Sequence, residues 1–349
     1  MIRRRTFLKS IIAGAILIHY PALAQEKTRS FLIESFGILP APQNIERILS
    51  AGPVSDILLL SLAPYKLLGL AALNLTPAQR AFFPKEIGNL PMTGRFAGRG
   101  TTASLEKIVA LKPDLILDVG NITPTYLSTA ERVYEQTQLP YLLANGSFAD
   151  TAKQLRTLGE ILGVTERGEA LAQFAEKILK ETQDLVPHHY SKPISIYSAR
   201  SADGLETGLA GSIHTEVIDW LGAKNSAAPA GEKIMTRISM EQLLAWQPDL
   251  IITMDENFYH SLPNNRLWQR LNAIKEGRVY LAPKLPFGWL DQPPSINRLL
   301  GAIWLAHLLV PEVMPTTRYR DLIAEYYALF YQQSLSTDQL NQLLEQEPL

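Results

Sequence analysis

Three arginines are the residues of this chain best placed to do chemistry, and that chemistry is non-covalent capture of a negatively charged group. Arg95 and Arg99 stand among Gly94, Gly98 and Gly100. Glycine lets backbone approach a ligand closely, and a guanidinium offers an oxyanion a planar fork of donors. Such a loop either holds an anionic chelate or trails in solvent, and the residues alone leave both open. Arg200 follows directly on the apolar run Ile194 to Ser198, with Glu206 and Thr207 further along the same glycine-punctuated stretch. A place straight after a strand favours a cleft position. Asn121 and Tyr126 follow the run Leu115 to Val119, Asn257 follows Leu250 to Thr253, and Trp289 follows Val279 to Ala282. Tyr126 either stacks on a chelate or covers its own lobe. Trp289 reads as a ligand platform, with burial under the C-terminal helices as the alternative. Trp246, Trp268 and Trp304 sit in helical patterns and read as core.

Enzyme chemistry has no matching constellation. There is no HExxH, no phosphate-binding loop and no dinucleotide fingerprint. The chain has no cysteine, which excludes disulfides, thiolate metal sites and cysteine-held iron–sulfur clusters. His214 in Gly211-Ser212-Ile213-His214 is not half of a Ser–His pair, because i and i+2 neighbours do not face each other on a helix. His260 could reach a haem iron from the cleft; His188, His189 and His307 read as structural or solvated. No catalytic residue, metal ligand or cofactor is expected. With 33 basic and 34 acidic residues, nothing points to nucleic acid.

The elements that must position these residues come from a segment that occurs twice. SLEKIVALKPDLILD begins at Ser104, and SMEQLLAWQPDLIIT begins at Ser239. Each copy has a short helix-period run, a Pro that stops the helix, and an apolar run suited to a buried strand. A helix feeding such a strand is the unit of a parallel sheet covered on both faces. Two copies predict two similar α/β lobes. Further strands are predicted at Ile45 to Ala51, Leu67 to Ala72 and Tyr141 to Ala144, with helices from about Ser55 to Leu62 and Asp150 to Leu162. A long helix opens at Thr165 and ends before Pro187, carrying Leu171, Phe174, Ile178 and Leu179 on one face. It lies between the two blocks and would limit how far the lobes hinge. Ligands of open α/β sheets lie beyond the carboxyl ends of the strands, so the facing strand ends predict the cleft. In each repeat one acid, Glu106 or Glu241, stands near a helix start, where it favours the helix dipole or serves as half of a two-point docking device.

Residues 1–24 read as a signal peptide. Arg3, Arg4 and Arg5 lead an apolar stretch, Ile11 to Ile18, and Ala22-Leu23-Ala24 forms a small-x-small cleavage site. The order Arg-Arg-Thr-Phe-Leu-Lys resembles a twin-arginine signal, with an ordinary secretory signal as the alternative. The expected division is 25–164 for the N-terminal lobe, 165–187 for the bridging helix and 188–349 for the C-terminal lobe with its helices, in a soluble periplasmic protein.

Over roughly residues 28–345 the chain resembles the periplasmic binding proteins of iron-siderophore, haem and cobalamin ABC importers. The resemblance rests on GPVSDILLLSLAPYKLLGL (52–70), TGRFAGRGTTASLEKIVALKPDLILD (93–118), DGLETGLAGSIHTEVIDWLGAKN (203–225), PFGWLDQPPSINRLLGAIWLA (286–306) and EYYALFYQQSLSTDQLNQLL (325–344). It implies two Rossmann-like α/β lobes with parallel sheets joined by one long helix, and a monomer that delivers its ligand to an inner-membrane ABC permease with its ATPase. It also implies that Glu106 and Glu241 meet arginines on the permease. A ferric siderophore is expected ahead of cobalamin, haem or a metal oxyanion such as molybdate, because arginines outnumber aromatics in the candidate loops.

Overall fold

The computed structural model describes residues 33–96, 100, 102–232 and 234–345. The leader expected at 1–24, and Arg99, lie outside them. The described residues belong to one compact unit, Leu32–Leu349.

Two four-stranded sheets carry the fold, and the strands of each repeat copy lie at their centres. In the first sheet β1 (Ile33–Phe36), β2 (Ile48–Ser50), β3 (Leu115–Gly120) and β4 (Tyr141–Asn145) take the order β1-β4-β3-β2. Only β1 runs antiparallel, pairing Ile33 with Ala144. The second sheet contains β5 (Ser195–Ala199), β7 (Lys224–Asn225), β9 (Leu250–Thr253) and β10 (Val279–Leu281) in the order β10-β9-β5-β7, all parallel. A two-stranded antiparallel ribbon, β6 (Glu206–Gly208) with β8 (Met235–Arg237), extends from the second sheet's side of the molecule. These are two Rossmann-like lobes.

The repeat is a structural device in both copies. Ser104 and Ser239 cap their helices by accepting from the Lys107 and Gln242 amides. The helices end in a left-handed residue, Lys112 (φ 47) or Gln247 (φ 42), directly before the Pro. The aspartate after the Pro then ties down the start of the neighbouring strand. Asp114 Oδ2 accepts from the Glu46 and Arg47 amides at 2.8 Å each, and Asp249 Oδ2 accepts from the Ser195 amide at 2.8 Å and its hydroxyl at 2.7 Å.

Period-two alternation divides each buried strand between two apolar layers. Leu115, Leu117 and Val119 face a large core that also contains Leu250 and Ile252 of β9. Ile116 faces a smaller cluster with Ile108 and Tyr141, and Ile251 faces another with Phe258 and Trp268. Helix Thr165–Thr182, about 27 Å long at 1.5 Å per residue, puts Leu171, Phe174 and Ile178 into the large core. It breaks where Asp184 takes φ 49, and a short helix Leu185–His189 follows that includes Pro187. Pro187 is therefore an early residue of the next helix, where proline is tolerated.

The expected strand at Leu67 to Ala72 does not form. Its backbone makes isolated bridges instead, Ile48 with Leu67 and Leu70 with Met92. A side chain at Gly69 would strike the Pro91 carbonyl oxygen at 2.4 Å, so the chain crosses here too closely for a regular ladder.

Candidate functional site

The carboxyl ends of β2, β3 and β5 open onto one cavity of about 810 Å³. From the first lobe come the Gly52-Pro53-Val54 turn that follows β2, the end of β3 (Asp118 to Asn121), and Arg95. From the second come Arg200 just beyond β5, Glu206 on β6, Ser212 to His214, Ile234 and Met235 at the start of β8, and Asp291 to Pro294. The cavity lies where the rule for open α/β sheets puts a ligand.

Each polar wall residue is placed by local structure. Thr123 caps helix Pro124–Thr137 by accepting from the Tyr126 amide, so Tyr126 sits in the first turn beside the end of β3. Gly120 leaves room for it, since a Cβ there would lie 3.2–3.3 Å from the Tyr126 ring and hydroxyl. Arg95 lies between two left-handed glycines, Gly94 (φ 92) and Gly100 (φ 79). Its Nε donates to the Gly100 carbonyl at 2.7 Å and its amide to Thr102 Oγ1 at 2.8 Å. Arg200 is held at the root of the β6–β8 ribbon, where its amide donates to the Glu206 carbonyl at 2.9 Å.

The charges are mixed rather than purely basic. Arg95 and Arg200 share the wall with Asp118, Glu206 and Asp291. Asp291 is 2% exposed. It pairs with Arg200, meets His214 Nδ1 at 2.8 Å and accepts from the Gln292 amide at 2.7 Å. The second lobe thus offers its arginine and histidine bound to a common carboxylate. Asp118 accepts from the Tyr141 hydroxyl at 2.9 Å. Burial pushes its carboxyl up to about 6, against the lowering effect of that bond and of the Val119 amide. Burial also raises the Tyr126 phenol, and the neighbouring Asp118 charge adds to the rise.

Of the residues singled out in the sequence, Arg95, Asn121, Tyr126 and Arg200 come together in this cavity. Trp289 does not. It is fully buried, donates its indole N–H to the Leu285 carbonyl at 3.0 Å, and packs against helix Arg298–Leu309, where a side chain at Gly301 would strike its carbonyl oxygen at 2.5 Å. Asn257 also lies elsewhere, exposed on helix Glu256–Ser261 and away from the cavity walls. His260, on the same helix, lines a separate cavity with Lys284 and Leu343, which removes it as a haem ligand in the cleft. His188, His189 and His307 each bond a backbone carbonyl. Trp268 and Trp304 are buried in the core.

Asp118 and His214 belong to the site without having been singled out for it. Asp118 carried a legible signal: it ends the first repeat's apolar strand, where the second copy has Thr253. His214 carried none, because its partner Asp291 is distant in the chain.

Two α/β lobes, a connecting helix and a cavity between facing strand ends are the features of a solute-binding protein. Residues 93–285 match the periplasmic binding protein family, and the chain belongs to it. An ABC transporter solute binding protein from Sulfurospirillum deleyianum shares the fold with a TM-score of 0.77 and 28% identity, over 88% of this chain and 95% of that one. The molybdate-binding protein MolA of Haemophilus influenzae is 26% identical over 281 residues, 72% of this chain and 76% of that protein. The Fe(3+) dicitrate-binding periplasmic protein FecB of Escherichia coli is 27% identical over 197 residues, 52% of this chain and 60% of its own length. The protein is accordingly a substrate-binding component of an ABC importer and not an enzyme. Among the described residues no helix is long and apolar enough to cross a membrane.

Proposed function

We propose that the protein captures an anionic ferric chelate of the siderophore class in the cavity between its lobes and hands it to its permease. The observation that carries this reading is that Arg95 and Arg200, from opposite lobes, line one cavity of about 810 Å³. That volume suits an organic ligand, since pockets for such molecules run to roughly 300–1,000 Å³. Asn121 and Tyr126 supply polar and aromatic contact on the first-lobe side, and the sequence puts Arg99 four positions beyond Arg95. The Fe(3+) dicitrate-binding relative supports an iron chelate. A second reading, a metal oxyanion such as molybdate, is favoured by the molybdate-binding relative.

Titration of the purified protein separates the two. Its five tryptophans give a fluorescence signal to follow with ferric siderophores, ferric citrate, cyanocobalamin, haemin and molybdate. Saturable binding of a ferric chelate with no response to molybdate supports the main reading, and the reverse supports the second. Exclusive binding of uncharged cobalamin would sink the anionic premise of both.

The same proposal takes residues 25–164 and 188–349 as the lobes, 165–187 as their connection, and Glu106 and Glu241 as permease contacts on a monomer. Both glutamates are exposed in the first turns of matching helices. Export by the twin-arginine route belongs to it as well. Normal periplasmic levels in a strain lacking that exporter would exclude the route.

A further inference from the structure

Beneath the cavity lies a buried arginine that touches both lobes. Arg298 opens the largely apolar helix Arg298–Leu309 and is 2% exposed. Its guanidinium donates from Nε to the Ser295 carbonyl at 3.1 Å and from Nη1 to the Ile213 carbonyl at 3.0 Å. It also bonds the Glu216 carboxylate and, through Nη2, the Gly146 carbonyl. Gly146 and Phe148 leave β4 of the first sheet, whereas Ile213 and Glu216 belong to the second lobe. The Glu216 oxygen that takes Arg298 also accepts from the Phe148 amide at 2.9 Å, and the Phe148 ring lies 5.6 Å from the guanidinium carbon. Ser295 in turn donates its hydroxyl to the Val54 carbonyl at 2.8 Å.

Three of these acceptors, Ser295, Ile213 and Glu216, belong to the lobe of Arg298 itself, and the fourth, the Gly146 carbonyl, belongs to the other, so one guanidinium joins the two lobes directly behind residues that line the cavity. Ile213 is on its wall, as are Gly120 and Val54. At Gly146 the lobes are in contact: an added Cβ would meet Gly120 Cα and Ile213 Cδ1 at 3.3 Å each. Burying an ion pair costs desolvation that only good geometry and further hydrogen bonds offset. Arg298 has both, and the result is a rigid polar joint.

We propose that Arg298, with Glu216, sets the orientation of the two lobes and thereby places the cavity floor, acting as a positioning residue that does not itself touch ligand. The proposal rests on the reading of the cavity as the ligand site. Ala110 and Ala245 are exposed and occupy corresponding places in the two repeats, and the chain has no cysteine. Spin labels on Ala110→Cys and Ala245→Cys therefore report the lobe-to-lobe distance without other substitutions. The test compares the labelled parent with Arg298→Lys, which keeps the charge but loses the fork, and with Arg298→Met combined with Glu216→Gln, which removes the pair together. Ferric citrate and molybdate are titrated into each, and circular dichroism identifies the folded variants.

A single narrow distance is expected in the parent, and a broadened or divided distribution in the folded variants. If the competent orientation falls to a tenth of the population, affinity for the bound probe falls roughly tenfold. Folded variants with the parent's distance distribution overturn the proposal, whatever their affinity. Broadened distances with unchanged affinity would uphold the joint and overturn the assignment of the cavity. Should the parent bind neither probe, the distances alone decide the joint, and the proposed function stands or falls by its own panel of ligands.

Discussion

Arg200 and Asp291 form an ion pair on the wall of the cavity, with side chains 18% and 3% exposed. The carboxylate also engages His214, so three wall residues share one anionic centre. Removing one partner strands the other in a poorly solvated place, at a cost of about 3 kcal/mol. Arg200→Met and Asp291→Asn should each destabilise by that order, and the double variant should lose at least ~1 kcal/mol less than the two losses combined. Urea unfolding of the three variants checks this. Strict additivity would mean that the pair contributes no coupling.

Arg95 and Arg200 should not matter equally to ligand. Arg200 shares its charge with Asp291, whereas the hydrogen bond resolved for the Arg95 side chain is to the neutral Gly100 carbonyl. Arg95→Ala should weaken binding of an anionic probe by ~1–3 kcal/mol, the scale of a charge-assisted hydrogen bond, and Arg200→Ala by less. Calorimetric titration with ferric citrate or molybdate is the measurement. Unchanged affinity in both variants would place the ligand elsewhere.

Asp118 makes stability and binding depend on pH in the same direction. Its folded carboxyl titrates near 6, above the ordinary value of 3.8, so the folded chain holds this proton more tightly than the unfolded chain. Its contribution to stability therefore grows as pH falls through about 6 and levels off below about 4. Asp118→Asn should raise stability near pH 8 by up to ~3 kcal/mol and flatten the profile between pH 8 and 5. Protonation also removes a negative charge from the wall, so an anionic probe should bind more tightly at pH 5 than at pH 8 in the parent and not in the variant. Parallel profiles in parent and variant would exclude this role.

Glu106 and Glu241 make the prediction that separates delivery from capture. Changing both to Arg should leave folding and ligand affinity nearly intact, since both side chains are exposed and neither lines the cavity. Uptake in cells should be abolished, because like charges would oppose the permease arginines that docking requires. Single changes should give partial loss. Normal transport by the double variant would return both residues to stabilising helix starts.

Much of the fold was legible because it is local. The repeat predicts its helix, turn and strand from neighbours within fifteen positions, and the long helix follows from an apolar stripe with no internal proline. The cleft followed in outline, since loops after strands could be found by finding the strands. What escaped depended on contacts between distant segments. An aromatic after β10 fits a ligand platform and a buried core residue equally well, and the packing of the 286–298 segment against helix Arg298–Leu309 decides for the core. The β1 segment, Ile-Glu-Ser-Phe, is too short to show a period and becomes a strand only by pairing with β4. Arg298 at the head of an apolar helix gives no hint of the backbone carbonyls it meets.

The large apolar core has a consequence for how the molecule comes apart. Residues of β3 and β9, the long helix and the C-terminal helices share one contiguous interior, so neither lobe can expose its inner layer without exposing part of the other's. Melting should follow a single cooperative transition, and amides in β3 and β9 should exchange with solvent at similar free energies. A chain cut before Thr165 would lose the covering of its sheet along with the linker. The two lobes share a binding cavity, and they share a fate on unfolding.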